Sequence, residues 1–177
     1  MMIDSWSAER TLERSDDLGK LLCDAVNGGA SLGFLAPIDR EHAWAHWVEV
    51  SRRVARGAVH VLVAEHGGEL IGSVQLHEVH EVHEAEGGGA SHRAQVCGLM
   101  VRSLFRQRGH GRQLMQAVQA LAHARGRTTL TLDTRLGDRS ERLFHALGWV
   151  KSGEVPQHAR GADGALVTAS LYHLVMA

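Results

Sequence analysis

Residues 99–115, "LMVRSLFRQRGHGRQLM", hold the turn on which the fold is read. A strand-like run from Ala94 to Val101 ends here and a short basic loop begins. A helical period then takes over, from about Gly109 to Ala124, with Leu114, Met115, Val118, Leu121 and Ala122 on one face. A helix start offers unpaired N–H groups and the positive end of the dipole. Gly109 and Gly111 let the backbone approach an anion closely, and Arg106, Arg108 and Arg112 add charge beside it. Strand, glycine turn and helix together predict a pyrophosphate cradle. The alternative is a helix-start glycine pair with no ligand. The loop is neither a P-loop, lacking Gly-Lys-Ser/Thr, nor a dinucleotide fingerprint, lacking the third glycine.

Outward from this turn the pattern alternates between periods. Ile3 to Trp6 reads as a short strand, and Ser7 caps a helix reaching about Asn27, broken near Ser15 to Gly19. Leu18, Leu21, Leu22, Ala25 and Val26 form its apolar stripe. Asp39 caps a second helix to about Arg56, with Trp44, Trp47, Val48, Ser51 and Val54 on one face and both tryptophans read as core. Val59 to Glu65 and Leu70 to about His77 read as a hairpin turning at "HGGE". Beyond the long helix, Thr128 to Thr134 is a strand, and Asp138 caps a short helix to Leu147 with Glu141 at the capping-box position. Trp149 to Val155 and Val167 to Val175 close the order as strands. The elements predict a mixed α/β domain built around one sheet, with no linker and no internal repeat.

The chain has 177 residues, 44% hydrophobic and 22% charged, as in soluble globular proteins. A formal net charge of -1 gives no bulk attraction to nucleic acid or anionic membrane. Cys23 and Cys97 are far apart and suit a reducing cytosol, and the N-terminus lacks a signal-peptide core. A cytoplasmic protein with no membrane span is the expectation.

The loop quoted above resembles motif A of the GNAT superfamily of acyl-CoA-dependent N-acetyltransferases, whose signature Arg/Gln-x-x-Gly-x-Gly/Ala is met by Arg106, Gly109 and Gly111. "ERLFHALGWV" (residues 141–150) resembles motif B of that family. Within the family, "GGAS-GF" from Gly28 to Phe34, "RA-V--LMV" from Arg93 to Val101, "GRQLM", "LDT" and "GE-P" resemble the tabtoxin-resistance type. The resemblance covers most of the chain and implies a single GNAT domain over residues 1–177. It also implies a central mixed sheet flanked by about four helices, in which Ala94–Val101 and Thr128–Thr134 are parallel and splay apart. Acetyl-CoA would lie in that gap as cosubstrate, with no metal required. Backbone groups of Leu99, Met100 and Val101 would take the pantetheine, and those of Gln107, Arg108, Gly109, His110, Gly111 and Arg112 the pyrophosphate, beside Arg106 and Phe144. The partner would be a small-molecule amine, contacted by Gly29, Ser31, Phe34 and Asp133, and the assembly a monomer or homodimer.

The chemistry needs a neutral amine, so a base must remove a proton from the ammonium. Many relatives carry a carboxylate base where this chain has Gln95, and a tyrosine proton donor where it has Phe144. Neither replacement can do that work. Asp133 is then the candidate base or amine-binding carboxylate, against the plainer reading of a polar residue at a strand end. Tyr172, the only tyrosine, stands on the last strand as a candidate that could reach the cleft, and His145 as a weaker substitute acid. Cys97 reads as a buried small hydrophobe rather than a nucleophile, and Arg52, Arg53 and Arg56 as a basic helix end. The loop from Gly28 to Phe34 is either a plain connection or part of the acceptor site.

"HEVHEVHE" (residues 77–84) invites a metal reading. On a strand, His77 and His83 would share a face ~20 Å apart and His80 would point the other way. A solvated hairpin tip is the expected reading, with Glu78, Glu81 and Glu84 placed to attract a cationic amine. Three functions remain open: an N-acetyltransferase, an acyl-CoA-binding module with little turnover, and a metal-binding protein.

Overall fold

The computed structural model describes residues 1–78 and 92–176. Strand β1 (Met2–Trp6) leads into helix α1 (Ala8–Glu13), whose N-cap Ser7 accepts the Arg10 N–H at 3.1 Å. The expected break falls at Arg14, just before the region predicted, so α2 (Ser15–Asn27) is a separate helix. Asp39 caps α3 (Arg40–Ala55) by accepting the His42 N–H at 2.8 Å. There follow β2 (Val59–His66), β3 (Glu69–Glu78), β4 (Arg93–Val101), a 3-10 turn (Ser103–Phe105) and α4 (His110–Ala124). The chain closes with β5 (Thr129–Arg135), α5 (Ser140–Ala146), β6 (Val150–Arg160) and β7 (Leu166–Val175). Asp138 is not the cap of α5: Arg139 takes the N-cap position without a side-chain cap bond, and Asp138, one residue before it, accepts the Ser140 N–H at 2.8 Å. Glu141 does not close the capping box; it accepts from the Gly137 N–H and the Ser170 hydroxyl instead.

The seven strands among the described residues form one sheet, ordered β1-β2-β3-β4-β5-β7-β6. Every neighbouring pair is antiparallel except β4 and β5. This is the mixed α/β architecture that the element order implied. Helices α1, α2 and α3 bury Leu18, Leu22, Val26 and Trp47 against one face over the β1–β4 side. Helices α4 and α5 bury Leu114, Val118 and Phe144 against the other. Among the described residues no helix covers the face of β5, β7 and β6 opposite α5, and the cleft opens over part of it.

Two differences from the sequence reading have clear causes. Trp44 is 47% exposed, not core, whereas Trp47 is fully buried. The buried face of α3 is turned toward Ala43, because α2 crosses there at Gly19: a Cβ on Gly19 would stand 3.7 Å from the Ala43 Cβ. Small residues at the crossing set the rotation and turn Trp44 out. Strand β6 also runs past Pro156, where the sequence reading ended it. Val155 faces Ala169 and Ala159 faces Val167, so β6 carries extra residues in a bulge. An edge strand with a bulge tolerates proline.

The feature that positions the site is the parting of β4 from β5. The two strands pair only through Arg93, Ala94 and Gln95 with Thr129, Leu130 and Thr131. Beyond that last rung β4 carries a bulge: Ser73 faces Met100 while Gln75 faces Cys97, one residue more on β4 than on β3. Gly98 sits in it at φ 60, with the Gln75 amide nitrogen 3.1 Å from where a Cβ would stand. A bulge bends its strand, and this one turns β4 away from β5.

Candidate active site

The parting of the strands leaves a cleft of about 390 Å³, walled by residues 96–99 of β4 and residues 132–135 of β5. Phe144 of α5 and Met115 of α4 close one side, and Ala30, Ser31, Leu32 and Gly33 of the α2–α3 loop close the other. That loop is held at both ends. At its base the Asn27 side chain accepts the Ile38 N–H at 2.9 Å and donates to the Ile38 carbonyl at 3.2 Å. Further along, the Ala36 N–H donates to the Ala162 carbonyl at 2.7 Å, which ties it to the β6–β7 turn.

One arm of the cleft is built from backbone. Gly109 is the N-cap of α4 at φ 84, and Gln107 holds φ 60 without being glycine. The first helical bond runs from the Gln113 N–H to the Gly109 carbonyl. The N–H groups of residues 107–112 find no acceptor among the described residues. Alternating left- and right-handed residues ahead of a helix start make a concave nest of donors for an anion. The arginines act differently from one another. Arg106 turns back, its Nε donating to the Val101 carbonyl at 2.9 Å, and it stands 3.9 Å from Asp24. Asp24 also accepts from the Ser103 N–H and hydroxyl, each at 2.8 Å, so α2 braces the loop. Arg108 lies over the Phe105 ring, 5.7 Å from its centroid. Met100 points its side chain into the core beneath α2 and α3, so only its backbone is left for the candidate site.

The other arm is built from side chains. Gln95, at the last rung, donates from Nε2 to Asp133 Oδ1 at 3.3 Å. Two candidates from different strands are thereby joined, with the neutral amide orienting the carboxylate. No cation pairs with Asp133 among the described residues. Cys97 also faces the cleft, and burial, followed by the charge of Asp133, pushes its thiol up to about 12. A thiol held that high stays protonated near neutral pH and is no nucleophile.

Several sequence candidates fall elsewhere. Tyr172 is 1% exposed and lies beneath Phe144, with ring centroids 5.7 Å apart. It faces Leu132 across the β5–β7 pair, while Asp133 faces Leu171, so the two project from opposite sides of the sheet. Its hydroxyl meets His145 Nε2 at 3.3 Å and does not line the cleft. Of Gly29, Ser31 and Phe34, only Ser31 lines the cleft. Phe34 packs edge-on against His46 instead, and Gly29 turns the chain out of α2 at φ 88.

Glu78 corrects the idea of an acidic lure. Its carboxylate is almost wholly buried and takes Arg127 at 2.6 Å, Arg125 at 2.7 Å and His60 at 3.0 Å. Burial pushes its carboxyl up, but these bonds outweigh that and hold it below the usual range. It clamps the floor of the cleft, where α4 ends and β5 begins. His77 is pulled down to about 4, mainly by burial and next by the Arg53 charge, so it is neutral at pH 7. His80, His83, Glu81 and Glu84 lie outside the described residues. Among the described residues no group of three or more His, Cys, Asp or Glu could hold a metal, and no helix is long and apolar enough to cross a membrane.

Sequence reasoning missed Arg135, Asp138, Ser140, His158 and Val167, all of which line the cleft. His158 is presented by the β6 bulge, where Gln157 holds φ 53. Proline inside a strand-like run was the one available signal for it.

A split parallel pair ending at a nest of helix-start N–H groups defines a protein that holds an extended, phosphate-bearing ligand between two strands. The family model described as Acetyltransferase (GNAT) family matches residues 15–149, and the chain belongs to that family. Solved structures share the fold at low identity. Ribosomal-protein-alanine N-acetyltransferase from Brucella melitensis is 21% identical, with a TM-score of 0.80 over 99% of this chain and 100% of that one. The Salmonella typhimurium protein yncA, solved with acetyl-CoA, is 18% identical, with a TM-score of 0.78 over 100% and 94%. An N-acetyltransferase from Staphylococcus aureus Mu50 is 17% identical, with a TM-score of 0.78 over 98% and 97%.

The protein is thus an acetyltransferase whose cosubstrate is acetyl-CoA. Its residues fit that molecule. The unpaired N–H groups of residues 107–112 suit a pyrophosphate, and β4 beyond Gln95 presents an unpaired edge toward β5.

Proposed function

We propose that this enzyme transfers the acetyl group of acetyl-CoA directly to the amine of a small molecule: a toxin, an antibiotic or an amino-acid-like compound. The observation that carries the reading is Asp133. It is a carboxylate in the cleft, oriented by Gln95 and paired with no cation among the described residues.

Acetyl-CoA supplies an acyl group activated as a thioester. The chain's residues do the rest. The N–H groups of residues 107–112 hold the pyrophosphate, beside Arg106. Backbone groups of Leu99, Met100 and Val101 pair with the pantetheine along the free edge of β4, and Phe144 packs beside it. Asp133 draws in the ammonium and takes its proton, directly or through water. An alkyl ammonium near pKa ~10 is almost wholly protonated at pH 7, so this step sets the fraction of reactive amine. Holding both reactants in one gap supplies much of the remaining acceleration.

Ser31 on the tethered α2–α3 loop supports a relation to the tabtoxin-resistance type, because it belongs to the stretch that carries that resemblance and it lines the cleft. Gln95 in place of a carboxylate favours an amine different from that toxin. The second reading, an acyl-CoA-binding module with little turnover, is favoured by Gln95 and by Phe144, which has no hydroxyl. A screen of small amines for CoA release between pH 7 and 9 decides between them. Release with at least one amine supports the enzyme; binding of acetyl-CoA without release by any amine supports the module.

A further inference from the structure

Leaving-group chemistry poses a question that Phe144 cannot answer. When the thioester is cleaved, negative charge develops on sulfur, and a hydrogen-bond donor aimed at it lowers the barrier. Phe144 lines the cleft but donates nothing. Tyr172 lies behind it with its hydroxyl turned to His145. His145 sits on another face of α5 and is not among the lining residues.

Among the described residues, three with hydroxyl side chains do line the cleft: Ser31, Thr134 and Ser140. Ser31 stands on the loop across the opening. The other two adjoin Phe144. Ser140 lies one helical turn before it on α5, at the i,i+4 spacing that puts both on one face. Thr134 is on β5, and Thr134 Oγ1 and Ser140 Oγ are 3.2 Å apart. The backbone of Ser140 is fixed, its N–H donating to Asp138 Oδ1 at 2.8 Å.

A count of protons gives the pair a function. Each hydroxyl has one O–H to donate. Their mutual bond uses one of the two. Neither hydroxyl has another partner among the described residues, so the second O–H is left to donate into the cleft. We infer that the Ser140–Thr134 hydroxyl pair is the donor to the departing CoA sulfur, taking the place of the hydroxyl that Phe144 lacks. This rests on the acetyl-CoA reading of the cleft. In the step it serves, the N–C bond forms as the C–S bond breaks. The electron pair stays on sulfur, and the amine proton leaves toward Asp133. The hydroxyl pair gives a hydrogen bond and no proton; the thiolate takes its proton from water afterwards.

The test reads the ionisation of CoA itself and needs no acceptor amine. Free CoA is bound to the wild-type protein and to Ser140→Ala, Thr134→Val and Ser140→Thr. Its thiol is then titrated by ultraviolet thiolate absorption. Desulfo-CoA affinity checks that each site is intact. The expected result is a bound thiol whose ionisation constant drops about tenfold in Ser140→Ala, the scale of a hydrogen bond to a charged group, and recovers in Ser140→Thr. Thr134→Val should lower it as well, because the remaining Ser140 hydroxyl then loses the partner that aims its O–H. Desulfo-CoA should bind all four alike. Equal thiol ionisation in the wild type and both hydroxyl-deleting variants would overturn the inference. Failure of the wild type to bind CoA at all would remove the cofactor reading and the inference with it.

Discussion

The two arms of the cleft are made of different material. At the α4 end the proposed ligand groups are backbone N–H donors, set by Gly109 at φ 84 and Gln107 at φ 60. At the acceptor end they are side chains gathered from β4, β5, α5, β6 and the α2–α3 loop. The first arm depends on local conformation and the second on long-range assembly. One consequence is chemical. A backbone nest accepts phosphates whatever the neighbouring side chains are, whereas the acceptor arm can exchange a carboxylate for Gln95 and a hydroxyl for Phe144 and remain the same cleft.

This contrast can be broken at its floor, where the largest change in stability is expected. Glu78 joins β3 to the end of α4 and the start of β5, below the point where the strands part. Glu78→Gln should destabilise the fold by about 2–3 kcal/mol, because two partly exposed arginines lose their charged partner; chemical denaturation measures it. The pH dependence has a definite sign. The folded carboxyl titrates below the ordinary glutamate value of 4.5, so its stabilisation is complete above that pH and is lost as pH falls through the folded value. The gap between wild type and variant should therefore shrink in acid. A constant gap down to pH 3 would mean that the clamp is not electrostatic.

Gly109→Val tests the backbone arm. A β-branched residue at φ 84 costs about 1–3 kcal/mol, which the loop relieves by shifting its N–H groups. Acetyl-CoA affinity should fall by roughly 10- to 100-fold in calorimetry. Arg108→Ala, by contrast, removes a guanidinium that stacks on Phe105 and should cost less than the glycine change. If the arginine matters more, the arm is built from side chains after all.

The smallest effect is expected at Tyr172. Tyr172→Phe removes a hydroxyl that meets His145 beneath Phe144 and should lower stability by about 1 kcal/mol. Turnover should stay within a few-fold. A loss of two orders of magnitude in kcat would place that hydroxyl in the chemistry and overturn the assignment of opposite sheet faces.

The same contrast explains what was legible in the sequence. The strand–loop–helix from Ala94 to Ala124, its glycines and its buried stripe could be read because all of them are local. Asp133 could be named because the family resemblance marked its strand as one of the two that part. Its bond to Gln95 could not be derived from spacing, since it spans 38 positions and depends on the parallel register. Ser140 and His158 were illegible for related reasons. One becomes part of the cleft through the rotation of a seven-residue helix, the other through a bulge beyond Pro156. Trp44 misled because helical period alone does not say that Gly19 and Ala43 would pull the face of α3 around.

The central claim is that one arm binds and the other reacts, with Asp133 as the reacting group. The most direct test measures Asp133→Asn twice, once for acetyl-CoA affinity and once for turnover of an amine found in the screen. The account predicts an affinity within about twofold of wild type, because Asp133 lies outside the backbone nest, and a kcat lower by roughly 10²- to 10⁴-fold. Unchanged turnover would remove Asp133 from the mechanism, and a matching loss of acetyl-CoA affinity would erase the division between the two arms.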